Sequence, residues 1–358
     1  MHKLDNPQTA FKLDPDKALD SVDLLGEQLR QVWQEFKKVK VPSSYKNVTK
    51  IVISAMGGSG LPGHLVQAVY ASELKKPLQI INGYEAPASV DKNTLYIICS
   101  YSGTTEEPLA SYIAVQKSGA KIFGITSGGQ LAGLIRQGKF PGYIFDPVAN
   151  PSKQPRIGIG YAVAAHLALF NKLGFIKITD SQVKSLLLNI DSFKNNFGFK
   201  VLFSKNPAKQ LAQKAQSKSL LVVASEHLAG SAHIFSNQIN ETAKTLATYH
   251  LIPELNHHLL EGLEFPIANR KNLAFIFLDS KLYHPKNQIR YKITKKIVVK
   301  NKVPALDYQL RSEDKLTQAF ESLSLSSYVT FYLAIINNIN PNLIPWVDLF
   351  KTELRKFK

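Results

Sequence analysis

The stretch Leu95–Glu107, "LYIICSYSGTTEE", joins a strand-sized apolar run to a cluster of small hydroxyl residues and a glycine, and closes on two acids. Its apolar half shows no alternation, which is the pattern of a strand covered on both faces in a parallel sheet. Its polar half then falls at the carboxyl end of that strand, where the helical pattern "TEEPLASYIAVQKSG" begins. Ligands collect at this edge of a parallel sheet, because helix N–H groups there point outward and carry partial positive charge. Capping the helix needs only one hydroxyl. Ser100 and Ser102 are left over, and the loop is read as a cradle for a phosphate, held by hydroxyls and backbone amides without a lysine.

The same alternation extends outward from this stretch. "NVTKIVISA", "LQIING", "KIFGITS" and "GYIFDP" read as strands, with "LPGHLVQAVYASEL" and "QLAGLIRQ" as helices between them. Apolar residues from Ala18 to Phe36 recur every three or four positions, which predicts one helix over 17–39 that Pro42 stops. "YAVAAHLALFNKLGF" and "DSQVKSLLLNIDSFKNNFG" form a helical bridge, after which strands "SLLVVASE" and "NLAFIFLD" alternate with helices again. The expected architecture is α/β, with two doubly wound parallel-sheet domains. The expected divisions are an N-terminal helical segment (1–44), a first domain (45–150), the bridge (151–194), a second domain (195–310) and C-terminal helices (311–358).

Composition narrows the class. With 358 residues, 44% of them hydrophobic, the chain can build two cores, and its apolar runs are strand-sized rather than the roughly 20 residues of a membrane span. A single cysteine, Cys99, excludes an internal disulfide and suits a reducing interior. No apolar run follows a basic start, so the expected location is the cytoplasm. The net charge of +17 is concentrated late, from Lys281 to Lys302. Only Tyr283 and Tyr291 interleave there, and the patch is read as a solvated basic surface, not a nucleic-acid or membrane site.

A second loop, "SAMGGSGLPG" (Ser54–Gly63), follows the strand "NVTKIVISA". Gly58, Gly60 and Gly63 stand at G-x-G-x-x-G spacing, but no acid follows about 20 residues later within a strand, as a dinucleotide fold needs, and the G-K-[ST] of a nucleotide-binding loop is missing. Adjacent His257 and His258 lack the spacing of a metal pair, so neither metal nor cofactor is expected.

"ISAMGGSG", "CSYSGTTEEPL", "ITSGG", "PSKQPRIGIGY", "FSNQINETAKT" and "ELNHHLLEG", in that order, resemble the bifunctional phosphoglucose/phosphomannose isomerases, which are built from two sugar isomerase (SIS) domains. The resemblance runs from about residue 20 to the C-terminus. It implies that substrate phosphate is held by Ser100, Ser102 and Thr105 together with Gly58 and Ser59. It further implies a catalytic arginine at Arg156, a catalytic glutamate at Glu241, a ring-opening histidine at His257 and a C-terminal lysine at Lys351. Two departures stand out. The family's N-H-N-E is replaced by Asn256, His257, His258 and Leu259, and its D-P-T-P by "NPNLIP", without the threonine associated with mannose 6-phosphate.

These residues suit aldose–ketose isomerisation. One carboxylate, Glu241, can carry a proton between neighbouring carbons, while a guanidinium at Arg156 stabilises the enediolate between the two steps. His257, aided by Lys351, fits opening of the sugar ring. The resemblance implies a homodimer in which the histidine comes from the neighbouring subunit. A non-catalytic sensor of sugar phosphates is the alternative: it would need the phosphate loops but no base.

Overall fold

The structure, a computed structural model, describes residues 2–357. Strands β1 (Lys50–Ala55), β2 (Leu78–Ile81), β3 (Thr94–Cys99), β4 (Lys121–Thr126) and β5 (Gly142–Ile144) form one sheet in the order β2-β1-β3-β4-β5. Strands β6 (Ser219–Ala224), β7 (Ala247–Leu251), β8 (Leu273–Asp279) and β9 (Ala305–Gln309) form another, ordered β7-β6-β8-β9. Every pairing is parallel. All six residues of β3 are buried, as its unbroken apolar run requires. The order in which strands are added to the first sheet reverses between β1 and β3, with β2 on one side and β4 and β5 on the other, and the loops following these two strands open at that switch point.

The two α/β sheets are those expected, but three details differ. The helix expected over 17–39 is two, Ala18–Asp23 and Leu25–Phe36, parted at Leu24, and a further helix, Pro7–Leu13, precedes them. The Asp14 carboxylate accepts the Ala18 and Leu19 N–H groups at 2.7 and 2.9 Å, holding the start of Ala18–Asp23 close to where the expected helix begins. The apolar stripe nevertheless faces inward, with Leu19, Val22, Leu29 and Val32 buried. The other two differences are β7 and β9, neither of which was predicted. Both are edge strands, half exposed: "ATYHL" and "ALDYQ" offer no apolar run, and their alternation lasts only four or five positions.

The central helix Lys315–Ile336 is long and apolar enough to cross a membrane, but here it is buried from Thr317 to Ile336, packed on helices Ala229–Ala243, Pro207–Ala215 and Asp180–Phe197. The two sheets share a local plan. β1 leads through a 3-10 turn (Gly57–Ser59) into helix Leu61–Val69, and β6 through a 3-10 turn (Glu226–Leu228) into helix Ala229–Ala243. These two helices cross at Gly230, where a Cβ would lie 2.4 Å from the Leu65 backbone, so only glycine permits the approach. The crossing brings the second sheet's helix alongside the first sheet's glycine-rich loop.

Candidate active site

The two loops at the switch point are bonded to each other. Ser59 Oγ accepts the Tyr101 N–H at 2.9 Å, and a Cβ on Gly58 would meet the Arg156 backbone nitrogen at 3.1 Å. Within the hydroxyl loop, Ser100 Oγ lies 2.8 Å from Thr105 Oγ1 and accepts the Gly103 N–H at 3.1 Å, while Ser102 Oγ lies 3.1 Å from Thr104 Oγ1. Gly103, at φ +68°, abuts the next loop so closely that a Cβ would sit 1.8 Å from Gly128 O. Thr105 occupies the cap position of helix Glu106–Val115, yet its side chain accepts no helix N–H. Its hydroxyl is turned to Ser100 instead, which sets it apart from a simple capping residue. The first turn of that helix adds its dipole to the hydroxyls of the loop.

Arg156 joins this loop pair to the second sheet's helix. Its side chain is 1% exposed. Nε donates to Thr242 Oγ1 at 3.1 Å, Nη1 to Gln154 Oε1 at 2.8 Å, and Nη2 to Pro341 O and Asn342 O at 2.9 and 2.8 Å. Gln238 reaches back to Arg156 O at 3.0 Å. With its orientation set this way, Nη1 stands 3.6 Å from Glu241 Oε2. Burial pushes the Glu241 carboxyl above its ordinary range, and the charges of Arg156, Lys351 and Lys244 oppose that rise. Lys244 is itself depressed to about 8, by burial first and then by Arg156. A carboxylate more basic than usual beside a fixed guanidinium is an arrangement able to remove a weakly acidic proton and stabilise the anion that results.

Gly58, Ser59, Ser100, Ser102, Thr105, Arg156 and Glu241 thus belong to one connected region. Lys351, on the terminal helix Pro345–Leu354, is exposed but near enough for its charge to act on Glu241. His257 is not part of that region in a single chain. It is exposed in a 3-10 turn (Glu254–His257) past the carboxyl end of β7, whereas Glu241 ends the helix that enters β7 from the other side. The five residues of β7 alone span about 16 Å.

Sequence reading missed Gln154, Thr242, Lys244 and the 340–342 carbonyls. The first three stand inside the quoted motifs, but their partners lie far along the chain. A cavity of about 480 Å³ lined by His64, His227, His233, Tyr249 and Lys315 contains none of the expected site residues. Among the described residues no group of three or more His, Cys, Asp or Glu side chains is placed to hold a metal.

Residues 204–354 match the family described as the bacterial phospho-glucose isomerase C-terminal SIS domain. A bifunctional phosphoglucose/phosphomannose isomerase of Caldicellulosiruptor bescii is 30% identical over 344 residues, covering 95% of this chain and 99% of that one. A protein of the same name from Thermoplasma acidophilum is 29% identical over 324 residues, covering 88% and 94%. A solved structure of a hypothetical protein from Thermus thermophilus overlays with a TM-score of 0.76 at 16% identity, covering 98% of this chain and 93% of that chain, a likeness of fold.

Proposed function

The chain belongs to the bifunctional phosphoglucose/phosphomannose isomerase family, and on that premise we propose that it interconverts glucose 6-phosphate, and mannose 6-phosphate, with fructose 6-phosphate through a cis-enediolate and without a metal. The observation that carries the reading is the placement of Glu241 beside Arg156, next to the two loops.

In the proposed cycle, Ser100, Ser102 and Thr105, with the Gly58–Ser59 turn, hold the phosphate. Glu241 takes the C2 proton of the open-chain aldose, and the electron pair moves into the C1–C2 bond and onto O1. Arg156 faces the negative charge on the enediolate oxygens. Glu241 returns its proton to C1 while the O2 hydroxyl proton passes to O1, leaving the ketose, so atoms and charge balance with no external oxidant or reductant. Since His257 is remote from Glu241 within one chain, the ring-opening histidine in this reading comes from a second copy in a homodimer. Lys351 assists it at the ring.

The test is incubation of the pure protein with fructose 6-phosphate in deuterated water. Both aldoses should form with deuterium at C2, partly diluted by transfer within the site. Glu241→Gln should lower the rate by roughly 10² to 10⁴-fold while 6-phosphogluconate still binds. Binding without turnover in the wild type would leave the sensor reading. Activity lost on treatment with a chelator would overturn the metal-free mechanism.

A further inference from the structure

Helix Ala229–Ala243 ends on Lys244, whose backbone is left-handed, with φ 48° and ψ 38°. That conformation favours glycine at a helix C-terminus, and a lysine there carries a steric cost. The turn folds the side chain back over the helix end. Nζ donates to Thr242 O at 3.3 Å and to Asn340 O at 2.8 Å. Asn340 belongs to the short segment linking the central helix to the terminal helix Pro345–Leu354.

That segment is gripped one carbonyl after another by two cations. Asn340 O accepts from Lys244, and Pro341 O and Asn342 O accept from Arg156. Asn337 Nδ2 adds bonds to Ala243 O at 3.0 Å and Thr245 Oγ1 at 3.2 Å, and Asn342 Nδ2 one to Ser152 O at 3.3 Å. The terminal helix that follows has no buried residue and no side-chain cap at its start. Its own packing therefore does little to fix it, and the direction in which it leaves the fold is set by the strap before it.

We propose that Lys244 is a positioning residue: by tying Asn340 to the end of the glutamate's helix, it holds the terminal helix, and Lys351 with it, in register with Glu241 and Arg156. The inference rests on the isomerase reading and adds to it a residue that acts through the strap rather than on the sugar. Glu241 is faced by Arg156, Lys351 and Lys244, and Arg156 in turn by Asp348 of the terminal helix. A shift of the strap therefore moves two charged groups, Asp348 and Lys351, relative to the base.

Lys244→Gly separates positioning from folding, because glycine suits the left-handed backbone while removing the donor. The variant should melt no lower than wild type. Hydrogen exchange at the amides of residues 340–354 should rise, with the rest of the chain unchanged. The kcat with fructose 6-phosphate should fall roughly ten- to a hundredfold, with KM moving less than about threefold, and Lys244→Arg should recover both readouts. Wild-type exchange and kcat in Lys244→Gly would overturn the proposal, as would a raised KM with unchanged kcat, which would assign the lysine to substrate binding. A wild-type protein that does not isomerise would instead overturn the functional reading, and the exchange comparison would still decide whether Lys244 holds the strap.

Discussion

Arg156 Nη1 and Glu241 Oε2 are 3.6 Å apart, the guanidinium 1% and the carboxylate side chain 29% exposed. The pair is close enough for strong attraction yet longer than a hydrogen bond. The glutamate oxygen is thus oriented by charge without being occupied, as a base for a carbon-bound proton must be.

The acid limb of kcat/KM should lie above the ordinary glutamate range. Burial raises the Glu241 pKa, and the base works only when ionised, so activity is lost as pH falls through that raised value. Lys351→Met removes one of the charges opposing the rise, and the limb should move to higher pH. A limb that stays in place in this variant would show that the lysine's charge does not reach the carboxylate.

Ser100→Ala with Thr105→Ala should weaken 6-phosphogluconate binding at least tenfold while circular dichroism stays native. Each hydroxyl given to a dianion is worth roughly 1.5 to 3 kcal/mol. The two side chains also bond each other at 2.8 Å, so the double variant should lose less than the sum of the single ones. Calorimetry on all three variants checks this, and unchanged affinity in the double variant would remove the phosphate from this loop.

Mixing Glu241→Ala with His257→Ala protein should restore activity that neither has alone. One intact site forms per mixed pair, so random exchange should recover about a quarter of the wild-type rate. An active monomer by sedimentation, or no recovery after verified subunit exchange, would place ring opening on other groups.

Stability should fall in acid through a residue outside the site. His166 is fully buried, its Nδ1 2.7 Å from Ala162 O, and burial depresses its pKa to about 4. Between about 6.5 and about 4 the unfolded chain binds a proton that the folded one refuses, so folding stability declines as pH drops through this window, by roughly 3 kcal/mol at its lower end. His166→Leu should flatten that part of the denaturation profile. A slope equal to wild type would assign the effect to other groups.

What could be read in advance was whatever the chain states locally. Leu95–Cys99 announces a doubly covered strand because each of its residues is apolar, and the hydroxyls behind it announce a loop because no turn needs so many. Glu241 was visible through its motif. By contrast, Lys244 meets Asn340 across 96 positions, a contact that no local pattern encodes. Strands β7 and β9 escaped because edge positions tolerate Thr248, His250 and Asp307. The distance between Glu241 and His257 was hidden for another reason. The two are only 16 positions apart, since 257 − 241 = 16, but a helix running one way and a strand running back place them at opposite ends of the sheet.

The close crossing of Gly230 on Leu65 bears on how a sugar could be enclosed. Backbone in contact with backbone at that point leaves no side chain that could rotate aside, so a sliding of the two helices past each other is opposed there. Enclosure of the sugar without a large change of shape is the expected outcome, and scattering curves recorded with and without 6-phosphogluconate should superimpose.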